Sequence, residues 1–216
     1  MVMTTISSQK STSEAVINHR RWKYVLWGVM AAMTTSVILY SEIPLLVRER
    51  SYLGTMPFLI VPHIIAGVVA LCSGPLQFSR RLRKGYPKLH RVLGRAYVIS
   101  VFIAAPLAIP LVIHKHDPRA KYFFVAIIVQ AGTWIITTAA AFITARNRQF
   151  QQHREWMVRS YAVTFTFVGT RVLQPIPAWN HFSDASFAMT IIIITFMAIL
   201  IPDIALHWSQ LTSHRV

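Results

Sequence analysis

The chain has 216 residues, 54% of them hydrophobic and only 13% charged, with a mean hydropathy of +0.47. Soluble domains carry about a quarter charged residues, so this composition excludes a soluble module of any size. The formal net charge of +15 does not point to nucleic acid, because the cations gather at the ends of apolar blocks, where anionic headgroups lie.

In chain order, residues 1–18 are polar and Ser/Thr-rich and are expected to be a disordered cytoplasmic tail, leaving 19–216 as one domain. The stretch HRRWK then leads into an apolar run, as an export signal would. That run continues to Leu46 without a small-residue cleavage site and reads as an uncleaved first span. Six apolar blocks follow one another: Tyr24–Leu46, Met56–Phe78, Leu89–Ile113, Tyr122–Thr144, Trp156–Leu173 and Ala185–His207. Each is close to the roughly 20 residues that cross a bilayer as a helix. Hydrocarbon requires every backbone N–H and C=O to be satisfied within the segment, so the blocks are helices. The expected fold is all-α: a polytopic membrane protein, a bundle of six transmembrane helices. The single cysteine, Cys72, allows neither a disulfide framework nor a thiolate cluster.

Charge sets the expected orientation. With six spans, the termini and the second and fourth loops share a face that carries sixteen of the 22 Lys and Arg. The opposite face carries five (Arg48, Arg50, Lys115, Arg119 and Lys121), and Arg171 falls inside the fifth block. The positive-inside bias places both termini in the cytoplasm, with a bilayer containing anionic lipids as the chain's partner. A membrane-protein partner or a second copy of the chain is a further expectation.

Two stretches repeat a pattern at the start of apolar helices: KLHRVLGRAYV and QQHREWMVRSYAV. Positions 4, 7, 11 and 18 further on return to the starting face of a helix. From His90 these are Gly94, Tyr97, Val101 and Ala108; from His153 they are Met157, Ser160, Thr164 and Arg171. The second set is a polar stripe roughly 27 Å long that lipid would not tolerate, so it is expected to face the bundle interior. Interhelical hydrogen bonds and snorkelling basic residues are the plain alternative, especially for Arg91, Arg95, Arg154 and Arg159. In the second block, His63 shares its face with Gly67, Ala70, Gly74 and Gln77. By this register His63 and Arg171 lie in the outer half of the bilayer, with Gln130 slightly deeper. His90, His153, Gln77, Asp203 and His207 collect in the inner half. Asp203 and His207 are four apart and can pair on one helical face. Tyr97 and Tyr161 complete the polar set.

The stretches PHIIAGVVALCSGPLQF, LHRVLGRAYV and HREWMVRSYAVTFTFVGTR, together covering His63 to Arg171, resemble a family of bacterial predicted membrane proteins. That family is defined by a domain of unknown function, number two-three-zero-six. Its last span ends in a Trp-rich Pro-Asn segment; here the corresponding stretch reads LIPDIALHW, with Asp203 in place of Asn. There is a fainter likeness to small His-containing membrane proteins that assist cytochrome oxidase assembly.

Three classes of function fit these residues. The first is haem or copper binding in a redox or oxidase-assembly role, with His63, His90 and His153 as ligands beside Arg171. The second is a proton-coupled small-molecule transporter using the intramembrane His, Arg and Asp. No inverted repeat accompanies it, because the two HR-containing helices run the same way. The third is a lipid-directed enzyme or scaffold in which Arg91, Arg95, Arg154 and Arg159 hold an anionic headgroup. There is no phosphate-binding glycine loop, activated nucleophile or carboxylate pair, so any general acid–base chemistry would rest on histidine.

Overall fold

In the computed structural model, the described residues are 25, 27–44, 57–113, 120–173 and 183–212. The expected tail, residues 1–18, lies outside them. Helix α1 occupies 27–44 and closes on a π-helical turn, Ile38–Glu42. It is followed by α2 (Pro57–Gln77), the short α3 (Arg80–Gly85), α4 (Pro87–Ile113), α5 (Ala120–Arg146), α6 (Phe150–Leu173) and α7 (Asp184–Thr212). Among the described residues there is no strand. Four helices among the described residues are long and apolar enough to cross a membrane: Pro57–Gln77, Pro87–Ile113, Tyr122–Arg146 and Ala185–Trp208, with mean hydropathy between 1.8 and 2.4.

The block Trp156–Leu173 does not reach that standard. Its helix begins earlier, at Phe150, and takes in Gln151, Gln152, His153, Arg154 and Glu155. Within the block, Arg159, Arg171 and four Ser/Thr hydroxyls lower the hydropathy further. Yet α6 is packed against α2, α5 and α7, and it buries Met157, Ser160, Tyr161, Val163, Thr164, Thr166 and Val168. The most polar of the long helices therefore stands in the interior, where hydroxyls find partners, and the apolar helices surround it.

The connections are determined by local chemistry. Ser79 caps α3 by accepting from the Leu82 N–H at 3.3 Å, and the Tyr86 N–H closes it on the Leu82 carbonyl at 2.9 Å. This turns the chain from α2 into α4 within a few residues. Between α5 and α6, the Gln149 N–H reaches the Thr144 carbonyl at 2.9 Å and the Arg148 N–H reaches Ala145 at 3.1 Å. That is a Schellman ending, and it requires a left-handed residue, which is usually glycine. Here Arg148 holds it, at φ 59°.

Proline and glycine explain the tightest packing. Pro75 has no N–H to give to the carbonyl of Leu71, four residues back. The Tyr161 hydroxyl of α6 donates to that carbonyl instead, at 3.4 Å. The tyrosine reaches it by laying its ring where Gly74 has no side chain; a Cβ there would overlap the ring and would stand 3.2 Å from Tyr97. Phe78 packs on the same ring with centroids 5.9 Å apart. The SGPLQF stretch of α2 and the RSYAV stretch of α6 are thus two halves of one contact. Helix α1 joins through Val37, which is buried with Leu71 and Val168.

Candidate functional site

The middle of the bundle is a network of hydroxyls. Tyr97 of α4, fully buried, lies 2.7 Å from both Ser160 Oγ and Thr164 Oγ1 of α6. Thr138 Oγ1 of α5 is 2.7 Å from Ser160, and the Trp134 indole N–H donates to Thr164 at 2.8 Å. The protons can be assigned by elimination. Thr164 spends its own proton on the Ser160 carbonyl at 2.9 Å. Tyr97 must therefore donate to Thr164, Ser160 to Tyr97, and Thr138 to Ser160. Every proton is used once, which is how a buried polar cluster avoids the cost of an unmade bond. The chain of donors ends on a backbone carbonyl, so it ties α4, α5 and α6 together and leads to no surface. Gln130 makes a separate tie, donating to Thr166 at 2.7 Å.

Two polar groupings flank this network. The end to which α2 and α5 run, and from which α4 and α6 start, carries Arg80, Arg81, Arg83, Lys84, Lys88, Arg146, Arg148 and Arg154 and is called the basic end here. At the opposite end, Arg171 Nε lies 3.7 Å from Glu42 Oε1, with the guanidinium 5.2 Å over the Phe167 ring. The Glu42 side chain is 5% exposed, and Ser41 donates to the same oxygen at 3.1 Å. Glu42 is the last residue of the wide turn, in which the Ile43 N–H bonds to Ile38. Nearby, His63 Nδ1 donates to the Ala104 carbonyl at 2.8 Å, and Glu42 and Arg171 are close enough for their charges to act on it.

At the basic end, His153 Nδ1 donates to the Ala141 carbonyl at 2.7 Å. This commits the Nδ1 proton to that carbonyl and leaves Nε2 as the free edge of the ring. His90 is acted on by His153 and by Arg83. Gln77 is 6% exposed, and its Oε1 lies 3.1 Å from where a Cβ on Gly94 would stand, one helical turn from His90. Among the described residues, two buried side-chain atoms have no hydrogen-bond partner: Gln77 Nε2 and His90 Nδ1. Both belong to this corner.

A third grouping joins α6 to α7. Arg159 is hydrogen-bonded to Asp203, approaches Glu155 at 3.9 Å and stacks 4.9 Å over Trp156. His207 lies 4.0 Å from Glu155 and 3.7 Å from Asp203, but its Nδ1 donates to the Asp203 main-chain carbonyl at 2.9 Å. Asp203 therefore has a cationic partner on α6.

The structure brings together some of the residues singled out in the sequence and separates others. His90, His153 and Gln77 share one corner. His63 and Arg171 share the opposite end. His63 is held against Ala104, which stands fourteen residues or roughly 21 Å along α4 from His90, so it does not join the other two histidines. Among the described residues, no group of three or more His, Cys, Asp or Glu side chains is placed to hold a metal ion. Arg91 and Arg95 are exposed, and Arg91 Nε donates back to the Pro87 carbonyl at 3.3 Å. Sequence reasoning missed Glu42, although it is the one carboxylate in the first apolar block. It also missed Glu155, Trp134 and Thr138.

Long apolar helices around a hydrogen-bonded polar interior, with cations massed at one end, define a helical membrane protein. The chain belongs to the family described as Predicted membrane protein (DUF2306), which it matches over residues 60–208. The match spans α2 to α6 and most of α7, so it includes every grouping described except Glu42. No curated protein and no solved structure matches the chain.

Proposed function

We propose that the chain is a six-span protein of the bacterial cytoplasmic membrane, with both termini cytoplasmic, that holds a haem at its basic end between His90 and His153. The redox or oxidase-assembly role anticipated from the sequence would rest on that group. The carrying observation is the state of the two imidazoles. His153 has its Nδ1 proton committed to Ala141 and presents Nε2, as a ligating histidine does. His90, on a different helix, keeps a buried nitrogen without a partner. His90 and His153 would be the residues to hold a haem iron, for which imidazole is a suitable ligand. A bare copper ion fits less well, since no third His, Cys, Asp or Glu among the described residues completes its shell. A haem bound there would supply one-electron transfer; the chain's own residues orient the ligands and, through Gln77, offer a hydrogen-bond donor one turn away.

The test is an absorption spectrum of protein purified in mild detergent, before and after haem addition. The expected result is a Soret shift at one haem per chain that His90→Ala and His153→Ala abolish and His63→Ala preserves. A preparation that never acquires the shift, or variants that acquire it equally, overturns the reading.

A second reading, a proton-coupled carrier, is favoured by the Glu42–Arg171 pair with His63 beside it at the far end. Proteoliposomes in which Arg171→Gln leaves every pH and uptake signal unchanged would remove it.

A further inference from the structure

The basic end has a feature that neither the histidine pair nor the hydroxyl network uses. From Arg80 to Arg95 the chain carries seven cations (Arg80, Arg81, Arg83, Lys84, Lys88, Arg91 and Arg95) and no carboxylate; the nearest acids in sequence are Glu49 and Asp117. Three carboxylate side chains are described, and all are engaged elsewhere. Glu42 pairs with Arg171, and Glu155 and Asp203 pair with Arg159 and His207. The cations of α3 therefore have no carboxylate to neutralise them among the described residues.

Their setting is specific. The short helix α3 is held at both ends, by the Ser79 cap and by the Tyr86–Leu82 bond, and the His90 N–H continues the chain onto Tyr86 at 3.0 Å. Arg80, Arg81 and Lys84 are exposed, while Leu82 is partly buried beneath them. Beside them Tyr86 is 67% exposed, and Leu89 and Val92, on the first turns of α4, are exposed too. Exposed cations followed directly in the chain by exposed aromatic and aliphatic side chains suit a segment lying at the headgroup layer.

We infer that α3 and the start of α4 form a docking surface for the phosphates of anionic phospholipid in the leaflet the basic end faces. The guanidinium groups of Arg80 and Arg81 and the ammonium of Lys84 contact the phosphate oxygens, while Tyr86, Leu89 and Val92 enter the acyl boundary. The surface commits to lipid rather than free phosphate because the apolar residues have a use only beside acyl chains.

The experiment counts retained lipid by mass spectrometry on the full chain in mild detergent, offered phosphatidylglycerol and phosphatidylcholine together. Each surface cation contributes roughly a fivefold preference for anionic lipid, so three contribute on the order of a hundredfold. The triple variant Arg80→Gln, Arg81→Gln, Lys84→Gln is expected to lose at least a tenfold preference, with its helical circular dichroism unchanged. A variant matched in charge at the other basic loop, Arg146→Gln, Arg148→Gln, Arg154→Gln, is expected to keep most of it. Inorganic phosphate at the lipid's concentration should displace nothing. Equal losses in the two triples would show diffuse attraction and overturn the proposal, as would an unchanged preference in the first triple. Displacement by inorganic phosphate would make the site a free-anion pocket and overturn it as well. The haem reading fails by a different signal, the Soret band, so either can fall alone.

Discussion

Tyr97→Phe removes one oxygen from the middle of the bundle and nothing else. In the native arrangement that oxygen accepts from Ser160 and donates to Thr164, both at 2.7 Å. Without it, Ser160 keeps a proton with no acceptor, while Thr164 still receives Trp134. One buried donor is thus stranded, which costs about 1–3 kcal/mol in soluble proteins. Inside membranes, measured couplings across helices average about 0.6 kcal/mol and reach about 1.7. Since Ser160 and Tyr97 are both fully buried, the expected loss for Tyr97→Phe is about 1–2 kcal/mol. Ser160→Ala strands Thr138 and leaves Tyr97 without its incoming bond, so it should cost a similar amount. The double variant should then fall short of the sum by about 0.6–1.7 kcal/mol, because the bond joining the pair is lost only once. Unfolding by sodium dodecyl sulfate in mixed micelles, followed by circular dichroism, measures all three. Strict additivity, or a Tyr97→Phe protein as stable as the parent, would refute the Tyr97–Ser160 bond as a tie between the helices.

Other positions give equally definite expectations. Gly74→Ala drives a methyl into the Tyr161 ring and should destabilise by about 1–3 kcal/mol, with recovery in Gly74→Ala/Tyr161→Leu, in the same unfolding assay. Arg148→Gly relieves a left-handed arginine in the Schellman ending and should stabilise by about 0.5–1 kcal/mol; a fall in stability would show that the arginine side chain contributes there. At the far end, Arg171→Gln should be worse than Glu42→Gln. The first strands a carboxylate 5% exposed, whereas the second leaves an arginine 33% exposed that reaches polar surroundings; the double variant should recover most of the difference. Asp203→Asn should loosen α7 from α6, seen as faster proteolysis of the C-terminal helix, and added salt should weaken the parent in the same direction.

The parts of this architecture that composition and period dictate were open to reading. Apolar runs near the bilayer length located α2, α4, α5 and α7, and a period of 3.6 put Met157, Ser160 and Thr164 on one buried face. Partners across helices were not open, because α5 carries hydroxyls without a one-sided pattern. Nothing in AGTWIITTAAAF marks Trp134 and Thr138 as the residues that meet α6. Glu42 is a lone carboxylate in an apolar block, and neither the π turn it ends nor its pairing with Arg171 is written in the spacing. The histidine set separated because depth along a helix is legible while the neighbour at that depth is not. His63 needed the carbonyl of Ala104, which no spacing rule supplies.

The polarity of α6 bears on how the protein is made. A segment with Arg159, Arg171 and a row of hydroxyls partitions poorly into lipid by itself, whereas α5, one short turn ahead of it in the chain, partitions well. The two helices are joined by one tight turn and packed along each other, so the strongly apolar arm shelters hydroxyls of the more polar one. Shortening the hydrophobic stretch of α5 is therefore expected to reduce the membrane insertion of α6 as well, which protease protection of the inserted chain would show.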